Sequence, residues 1–314
     1  MGVALRCRVD NHRAMKIAAG VLASLVLVFH LSAQVSTAIT TDPPEVKTQP
    51  ASMATFQLPS HGALLNALMY EAAGAGPHGT VVLLHGFPGN EKNLDVAQAM
   101  RRYGWNVLYF NYRGSWGSPG AFSFSHAIED AQAALAYLRE PANAAKLRVD
   151  PSQIVVMGHS MGGMIALYVT AHDPSVEALA VWSAADMASR ELVAAGTPPL
   201  NRAAQVKKLG ARLAEEGLAP LAGCTPDSLA EDLLDHGADW TFAKDVAGLS
   251  SRPVLIITSD DGLAASADKL VEALGAAGDR EVRSVHLATD HSYSDKRIAL
   301  ESDVLSGLEY LKSR

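Results

Sequence analysis

The sequence predicts an α/β fold with a mostly parallel central sheet and helices on both of its faces. From residue 80 onward, short apolar runs rich in β-branched residues alternate with longer segments of helical character. The chain has 314 residues, of which 48% are hydrophobic and 19% are charged. That length suffices for one large core, and strands that alternate with helices indicate a parallel sheet covered on both sides.

The N-terminal residues have the pattern of an export signal. Four basic residues precede an apolar run over residues 17–31, and Ser36 and Ala38 follow in a small-x-small cleavage arrangement. We therefore predict a signal peptide over residues 1–38 and a periplasmic or secreted mature protein. Residues 1–14 precede a second methionine and could be a start-site extension. The apolar run is shorter than the ~20 residues of a membrane span, so an anchor formed by residues 17–31 is the alternative.

A folded domain is predicted over residues 53–314, after a flexible, polar and proline-rich segment over residues 39–52. It opens with a hairpin made of residues 54–58 and 63–70. Residues 74–79 match G-x-G-x-x-G, but they precede a strand and contain a proline. A dinucleotide site needs that motif between a strand and a helix, so no such cofactor is predicted.

The alternating elements then follow in chain order. Strands are predicted at 80–84, 106–110, 153–157, 176–182, 253–258 and 282–287, and helices at 91–103, 125–138 and 161–170. Residues 184–249 interrupt the alternation with helical periodicity near 200–216 and 228–236. This stretch is longer than one crossover needs, so we predict a small helical cap inserted there.

The most informative motif is Gly158-His159-Ser160-Met161-Gly162, which lies between a predicted strand and a predicted helix. A serine at the tip of such a turn has its hydroxyl exposed at the sheet edge, and flanking glycines allow the helix and strand to cross closely. Ser160 is therefore the candidate nucleophile. A serine hydroxyl needs a base, and the base needs a carboxylate that orients it.

Both partners follow later strands. His291 comes after the last predicted strand, in the place of a catalytic base. Asp260 and Asp261 both follow the strand at 253–258, and spacing favours Asp261 as the acid. Asp290 is expected to be a turn or cap residue.

The loop after the first parallel strand reads His85-Gly86-Phe87-Pro88-Gly89. In acyl transfer, backbone N–H groups stabilise the oxyanion, each by about 3–4 kcal/mol. We predict that Phe87 supplies one donor and that Met161, the residue after the nucleophile, supplies the other.

Together these motifs resemble the α/β-hydrolase superfamily, in particular its serine esterase, serine aminopeptidase-like and dienelactone-hydrolase-like branches. The resemblance covers residues 53–314. It includes Tyr112-Arg113-Gly114, which lies between the loop at residues 85–89, the candidate oxyanion loop, and the turn that carries Ser160, the nucleophile elbow. It implies the α/β-hydrolase fold and a serine hydrolase that cleaves carboxylic esters through an acyl-enzyme. The loop before the acid has Thr258 where glycine is frequent, and the oxyanion loop is not the H-G-G-G form, so the subfamily stays open.

Three other side chains are candidates for lining the pocket: His85, Trp116 and His159. Trp116 could equally pack its loop onto the domain, and His85 is expected to brace its loop by hydrogen bonding rather than act as a base. The substrate is expected to be a small ester or amide.

Composition excludes several other functions. The net charge is −7, and no basic stripe or zinc-ligand spacing occurs, so neither nucleic acid nor a metal nor another cofactor is predicted. A peptidase of the same fold would need an acidic pair for a substrate ammonium, for which Glu177, Asp186 and Glu191 are available. An acyltransferase and, less favoured, a non-catalytic binding protein are the remaining alternatives.

Overall fold

The computed structural model describes Gly2 and residues 36–187 and 201–313. The predicted signal peptide and the alternative anchor over residues 17–31 therefore lie almost wholly outside the described residues. Within these ranges, no helix is both long enough and apolar enough to cross a bilayer.

Eight strands in the described ranges form one sheet. They are β1 (Ser52–Ser60), β2 (Ala63–Glu71), β3 (His78–Leu84), β4 (Asn106–Phe110), β5 (Val149–His159), β6 (Ala178–Trp182), β7 (Val254–Thr258) and β8 (Val282–His286). Their order across the sheet is β1-β2-β4-β3-β5-β6-β7-β8. The hairpin β1–β2 and the pair β2–β4 are antiparallel, and all other neighbouring pairs are parallel. The predicted fold class is confirmed.

Ten α-helices accompany the strands in the described part of the chain. They are α1 (Thr37–Thr40), α2 (Leu94–Arg102), α3 (Phe124–Arg139), α4 (Pro141–Leu147), α5 (Met161–His172), α6 (Arg202–Glu215), α7 (Pro226–His236), α8 (Phe242–Leu249), α9 (Ala264–Ala276) and α10 (Arg297–Lys312). Alternate residues of a strand point to opposite faces of the sheet. Accordingly, Val82 and Leu84 of β3 pack with α3 and α5, whereas Val81 and Leu83 pack with α2 and α10.

The N-terminal segment differs from its prediction at one end. Residues 39–52 were expected to be flexible, but α1 covers residues 37–40 and packs against α2 and α10. Ala38 is buried there, and its carbonyl accepts a hydrogen bond from the side chain of Arg102. A small side chain that fits between two helices explains why this polar segment is held to the domain.

The predicted cap stretch over residues 184–249 contains two kinds of helix. Helices α6 and α7 pack mainly on each other, while residues 188–200 lie outside the described residues. Helix α8 instead packs on α5 beside the sheet, with Gly248 so close that a Cβ there would lie 2.1 Å from the carbonyl oxygen of Ala171. The helical cap is therefore the α6–α7 pair, and α8 belongs to the layer of helices on the sheet.

Candidate active site

Ser160 lies at a sharp turn between β5 and α5. Its backbone has φ +57° and ψ −122°, a conformation that costs about 1–3 kcal/mol in a residue with a side chain. The flanking glycines make the turn possible. A Cβ on Gly158 would lie 2.1 Å from the carbonyl oxygen of Gly162, and one on Gly162 would lie 2.2 Å from that of Leu84. The strand–turn–helix geometry expected for Ser160 is present.

Hydrogen bonds from the neighbouring strand hold this strained turn. The N–H of Ser160 donates to the carbonyl of Trp182 at 3.1 Å, and the carbonyl of Ser160 accepts from the N–H of Ala185 at 3.0 Å. The last residue of β6 and a residue in the loop after it are thus hydrogen-bonded to the N–H and the carbonyl of the candidate nucleophile.

The candidate acid and base meet at the same sheet edge. Strands β7 and β8 are parallel and in register, with Thr258 opposite His286, so the loops after them are neighbours. The Nδ1 atom of His291 lies 2.7 Å from Oδ2 of Asp261. A carboxylate only accepts, so Nδ1 carries the hydrogen and Nε2 remains as the acceptor for a hydroxyl proton.

The surroundings of Asp261 favour its ionised carboxylate although the side chain is only 4% exposed. Burial by itself raises the pKa of Asp261. Hydrogen bonds from His291, from Ser183 and from the N–H of Leu263 outweigh burial and lower that pKa well below its ordinary value. An ionised Asp261 orients His291 and would stabilise an imidazolium there.

Asp260, the competing acid, lies elsewhere. Its side chain is 64% exposed and its Oδ1 is 3.1 Å from Nε2 of His286, whose ring also meets the hydroxyl of Thr258. The pair is at the surface. Asp290 accepts hydrogen bonds from the N–H groups of Ser292 and Ser294, as expected for a turn residue.

The candidate oxyanion loop lies against the nucleophile. A Cβ on Gly86 would be 2.9 Å from Cβ and 3.4 Å from Oγ of Ser160. Among the described atoms, neither the N–H of Phe87 nor that of Met161 donates to a protein acceptor. Met161 is also the first residue of α5, where free N–H groups and the helix dipole favour negative charge.

A cavity of about 460 Å³ brings these groups together under the α6–α7 cap. Ser160, Asp261, His291 and Phe87 line it. The remaining lining residues come from the β6 and β7 loops and from the cap: Ala185, Met187, Leu209, Arg212, Leu213, Glu215, Glu216, Leu233 and Leu263. The sequence did not single out these cap residues, because surface helices with charged and leucine positions look alike whether or not they face a cavity.

The three side chains suggested as pocket residues are not in that lining. His85 is buried under its loop, donates from Nδ1 to the carbonyl of Gly86 at 2.8 Å and packs on Tyr112; burial lowers its pKa to about 4. Trp116 donates from Nε1 to the carbonyl of Pro88 at 3.1 Å and thereby ties its loop to the oxyanion loop.

His159 is also buried, directly behind His291. Its Nε2 lies 2.8 Å from the carbonyl oxygen of His291, and the two rings are 4.7 Å apart. Because a carbonyl only accepts, Nε2 carries the hydrogen. Burial, together with the nearby charge of His291, lowers the pKa of His159 to about 3, so this ring is neutral. His159 therefore braces the backbone and ring of the candidate base and lies outside the lining of the cavity.

No group of three or more histidine, cysteine, aspartate or glutamate side chains could hold a metal ion in the part of the chain that the structure describes.

Sequence comparisons support the same architecture. Residues 75–233 match the family described as serine aminopeptidase, S33. An uncharacterized protein of Mycobacterium tuberculosis, Rv2307c, is 31% identical over 106 residues, which is 33% of this chain and 35% of that protein. The match thus spans about a third of the length of this curated relative.

Solved structures with the same fold include a lipase in its open form and the carboxylesterase EstE1, cloned from a metagenomic library. The lipase has a TM-score of 0.61 and 17% identity, covering 84% of this chain and 100% of its own. EstE1 has a TM-score of 0.56 and 21% identity, covering 82% and 89%. At these identities the likeness shows a common fold.

Proposed function

Because this chain belongs to the serine aminopeptidase S33 family of α/β-hydrolases, and is therefore a hydrolase, we propose that it cleaves carboxylic esters through an acyl-enzyme on Ser160. The observation that carries the proposal is the shared cavity, in which a serine at a strained elbow meets a histidine whose Nδ1 is held by a buried carboxylate. That arrangement activates a hydroxyl as a nucleophile.

In the proposed reaction, Oγ of Ser160 attacks the ester carbonyl while Nε2 of His291 takes its proton. The oxyanion is stabilised by the N–H groups of Phe87 and Met161. His291 then gives the proton to the leaving alcohol oxygen as the carbon–oxygen bond breaks. A water molecule attacks the acyl-enzyme, His291 takes its proton and returns it to Ser160, and the carboxylic acid leaves.

Replacement of Ser160 tests this proposal. Ser160→Ala should fold normally and hydrolyse p-nitrophenyl esters at least about three orders of magnitude more slowly, since the nucleophile is lost. A fluorophosphonate probe should label the parent protein and leave the variant unlabelled. Cys224 is the one cysteine in the described ranges, and its thiol is free. Labelling that persists in the variant, at Cys224 or at another serine, would contradict the assignment.

A peptidase that takes amino-terminal residues is the second candidate, favoured by one observation. Glu215 and Glu216 line the cavity beside the end of α6 and could receive a substrate ammonium. The acids suggested from the sequence are less suited: Glu177 precedes β6 at the opposite sheet edge, Asp186 is buried, and Glu191 lies outside the described residues. Comparing acyl esters of p-nitrophenol with aminoacyl amides separates the two candidates, and an acyltransferase would be revealed by product esters formed with added alcohols.

We also propose that the protein is exported and cleaved after Ala38, on the basis of the basic residues, the apolar run over residues 17–31 and the small residues that follow. Such cleavage would remove Thr37 and Ala38, and with them the α1 contacts that the uncleaved chain makes with α2 and α10. Intact-mass measurement on protein from the native host should find a chain that begins near Ile39. A membrane-bound chain that retains residues 17–31 would establish the anchored alternative instead.

A further inference from the structure

Ser183 combines a strained backbone conformation with an almost fully buried side chain. It is the first residue after β6, has φ +44° and is only 2% exposed. Its neighbours Trp182 and Ala185 make the two hydrogen bonds to the backbone of Ser160. A strained, buried non-glycine residue next to a candidate nucleophile indicates a constraint that the surrounding structure maintains.

The hydroxyl of Ser183 meets the other two catalytic loops. It lies 2.8 Å from Oγ of Ser259 in the acid loop and 3.1 Å from the hydroxyl of Tyr293, two residues after His291. Tyr293 also has a positive φ, +57°, and is fully buried. The hydroxyl of Ser183 therefore contacts both the loop that carries Asp261 and the loop that carries His291. Trp182 and Ala185, which flank it closely in sequence, form hydrogen bonds with the backbone of Ser160.

The hydrogens in this cluster can be assigned. Tyr293 donates to the carbonyl of Ile257 at 3.1 Å, so its hydrogen is used. Ser259 can donate to Ser183, and Ser183 in turn donates to the hydroxyl oxygen of Tyr293. The three hydroxyls thus form one chain of hydrogen bonds that runs from the acid loop through Ser183 to the base loop and ends on the carbonyl of Ile257.

We propose that Ser183 is a positioning residue, whose hydroxyl links the acid loop to the base loop and keeps both in register with the turn that carries Ser160. This role rests on the proposed serine hydrolase function. Without the hydroxyl, the acid and base loops lose the hydrogen bonds that join them to the residue after β6. Loss of register would slow the proton transfers between Ser160 and His291.

Three titratable groups around this cluster keep one charge state through the assay range, so a change in kcat reports the geometry of the loops. His159 has a pKa near 3, and burial, with smaller contributions from its neighbours, raises the pKa of Tyr293 to about 12. Neither changes charge between about pH 5 and pH 9, where a hydrolase of this kind is assayed. Arg297 has its pKa raised, chiefly through its hydrogen bonds with Asp95 against the opposing effect of burial, and stays charged.

The test compares Ser183→Ala with Ser183→Gly. Both remove the hydroxyl, but glycine also relieves the positive φ. We expect both variants to lower kcat about ten-fold with little change in KM, because the loss affects the proton transfers and leaves the residues that line the cavity unchanged. Ser115→Ala is the matched control, because Ser115 is a fully buried serine whose hydroxyl has no partner among the described residues. It should behave like the parent.

Each result has a definite meaning. Folded Ser183 variants with the parent kcat would overturn the positioning role, as would a Ser183→Gly variant that matches the parent while Ser183→Ala does not. If neither variant folds, Ser259→Ala decides: a few-fold fall in kcat at the parent KM supports the role, and an unchanged kcat overturns it. A parent protein that neither turns over esters nor reacts with fluorophosphonate would instead contradict the proposed function itself.

Discussion

Replacing Asp261 and Asp260 one at a time with asparagine separates an orienting carboxylate from a surface ion pair. Both residues follow β7, and each lies beside a histidine. In Asp261→Asn the amide can donate to Nδ1 of His291, which places the hydrogen of the neutral ring on Nε2. That nitrogen could then no longer accept the proton of Ser160.

The expected magnitudes differ widely. Asp261 is 4% exposed and 2.7 Å from Nδ1 of His291. Loss of such a carboxylate in other triads costs about 10⁴ in turnover, equivalent to about 5.5 kcal/mol of transition-state stabilisation. Asp260 and His286 have side chains 64% and 49% exposed. An exposed pair contributes about 1 kcal/mol of stability at most, so Asp260→Asn should keep turnover within about two-fold.

Steady-state hydrolysis of a p-nitrophenyl ester by both variants, together with thermal unfolding to confirm that each is folded, gives the comparison. The pair is well matched because the two changes are chemically identical and lie at adjacent positions. A large loss in Asp260→Asn with a small loss in Asp261→Asn would refute the assignment of the acid. Equal and small losses in both would refute the triad mechanism.

Other changes have equally specific consequences. Gly162→Ala should yield little folded protein in a thermal-melt or expression assay, because a Cβ there lies 2.2 Å from the carbonyl oxygen of Leu84; normal stability would show that the elbow is looser than described. His159→Leu leaves the carbonyl of His291 without its donor and should reduce turnover about ten-fold, whereas His159→Gln, which keeps an N–H, should retain more of it; equal activities would contradict this. Burial, with a nearby carboxylate, raises the pKa of Asp245 to about 7, and its side chain has no hydrogen-bond partner among the described residues. The folded state thus keeps a proton that the unfolded state loses above about pH 4, so stability falls as pH rises from about 4 to about 7 and is constant above. Denaturant unfolding should therefore show Asp245→Asn to be more stable than the parent at pH 8, by up to about 4 kcal/mol, with little gain at pH 4; a parent whose stability does not change over that interval would contradict this.

The order of strands and helices was predictable because it depends on local patterns. Buried parallel strands are short, apolar and β-branched, and such runs mark β3, β5 and β7 within a few residues of their observed bounds. The nucleophile elbow was equally predictable from the sequence, since the glycines around Ser160 are required by backbone contacts within two strands and one helix. A segment such as α1, whose helix depends on packing against α2 and α10, has no such local pattern.

Contacts between side chains from distant segments were harder to predict from the sequence. Spacing favoured Asp261 over Asp260, but only the turn after β7 shows which carboxylate points to His291. His159 belongs to the best motif in the chain and was taken as a pocket residue, although it is turned inward to a carbonyl 132 positions away.

By itself, the sequence determined the α/β fold class, the serine at a strand–helix turn, and the order along the chain of the proposed nucleophile, acid and base. These depend on periodicity and on residue types that a backbone geometry demands nearby. Only the tertiary structure decided which groups share the cavity and which brace it. Ser183 and Tyr293 are 110 positions apart in the sequence. The residue types serine and tyrosine predict neither a positive φ nor a contact between buried hydroxyls. Such contacts arise only when parallel strands place the loops that follow them at one edge of a sheet.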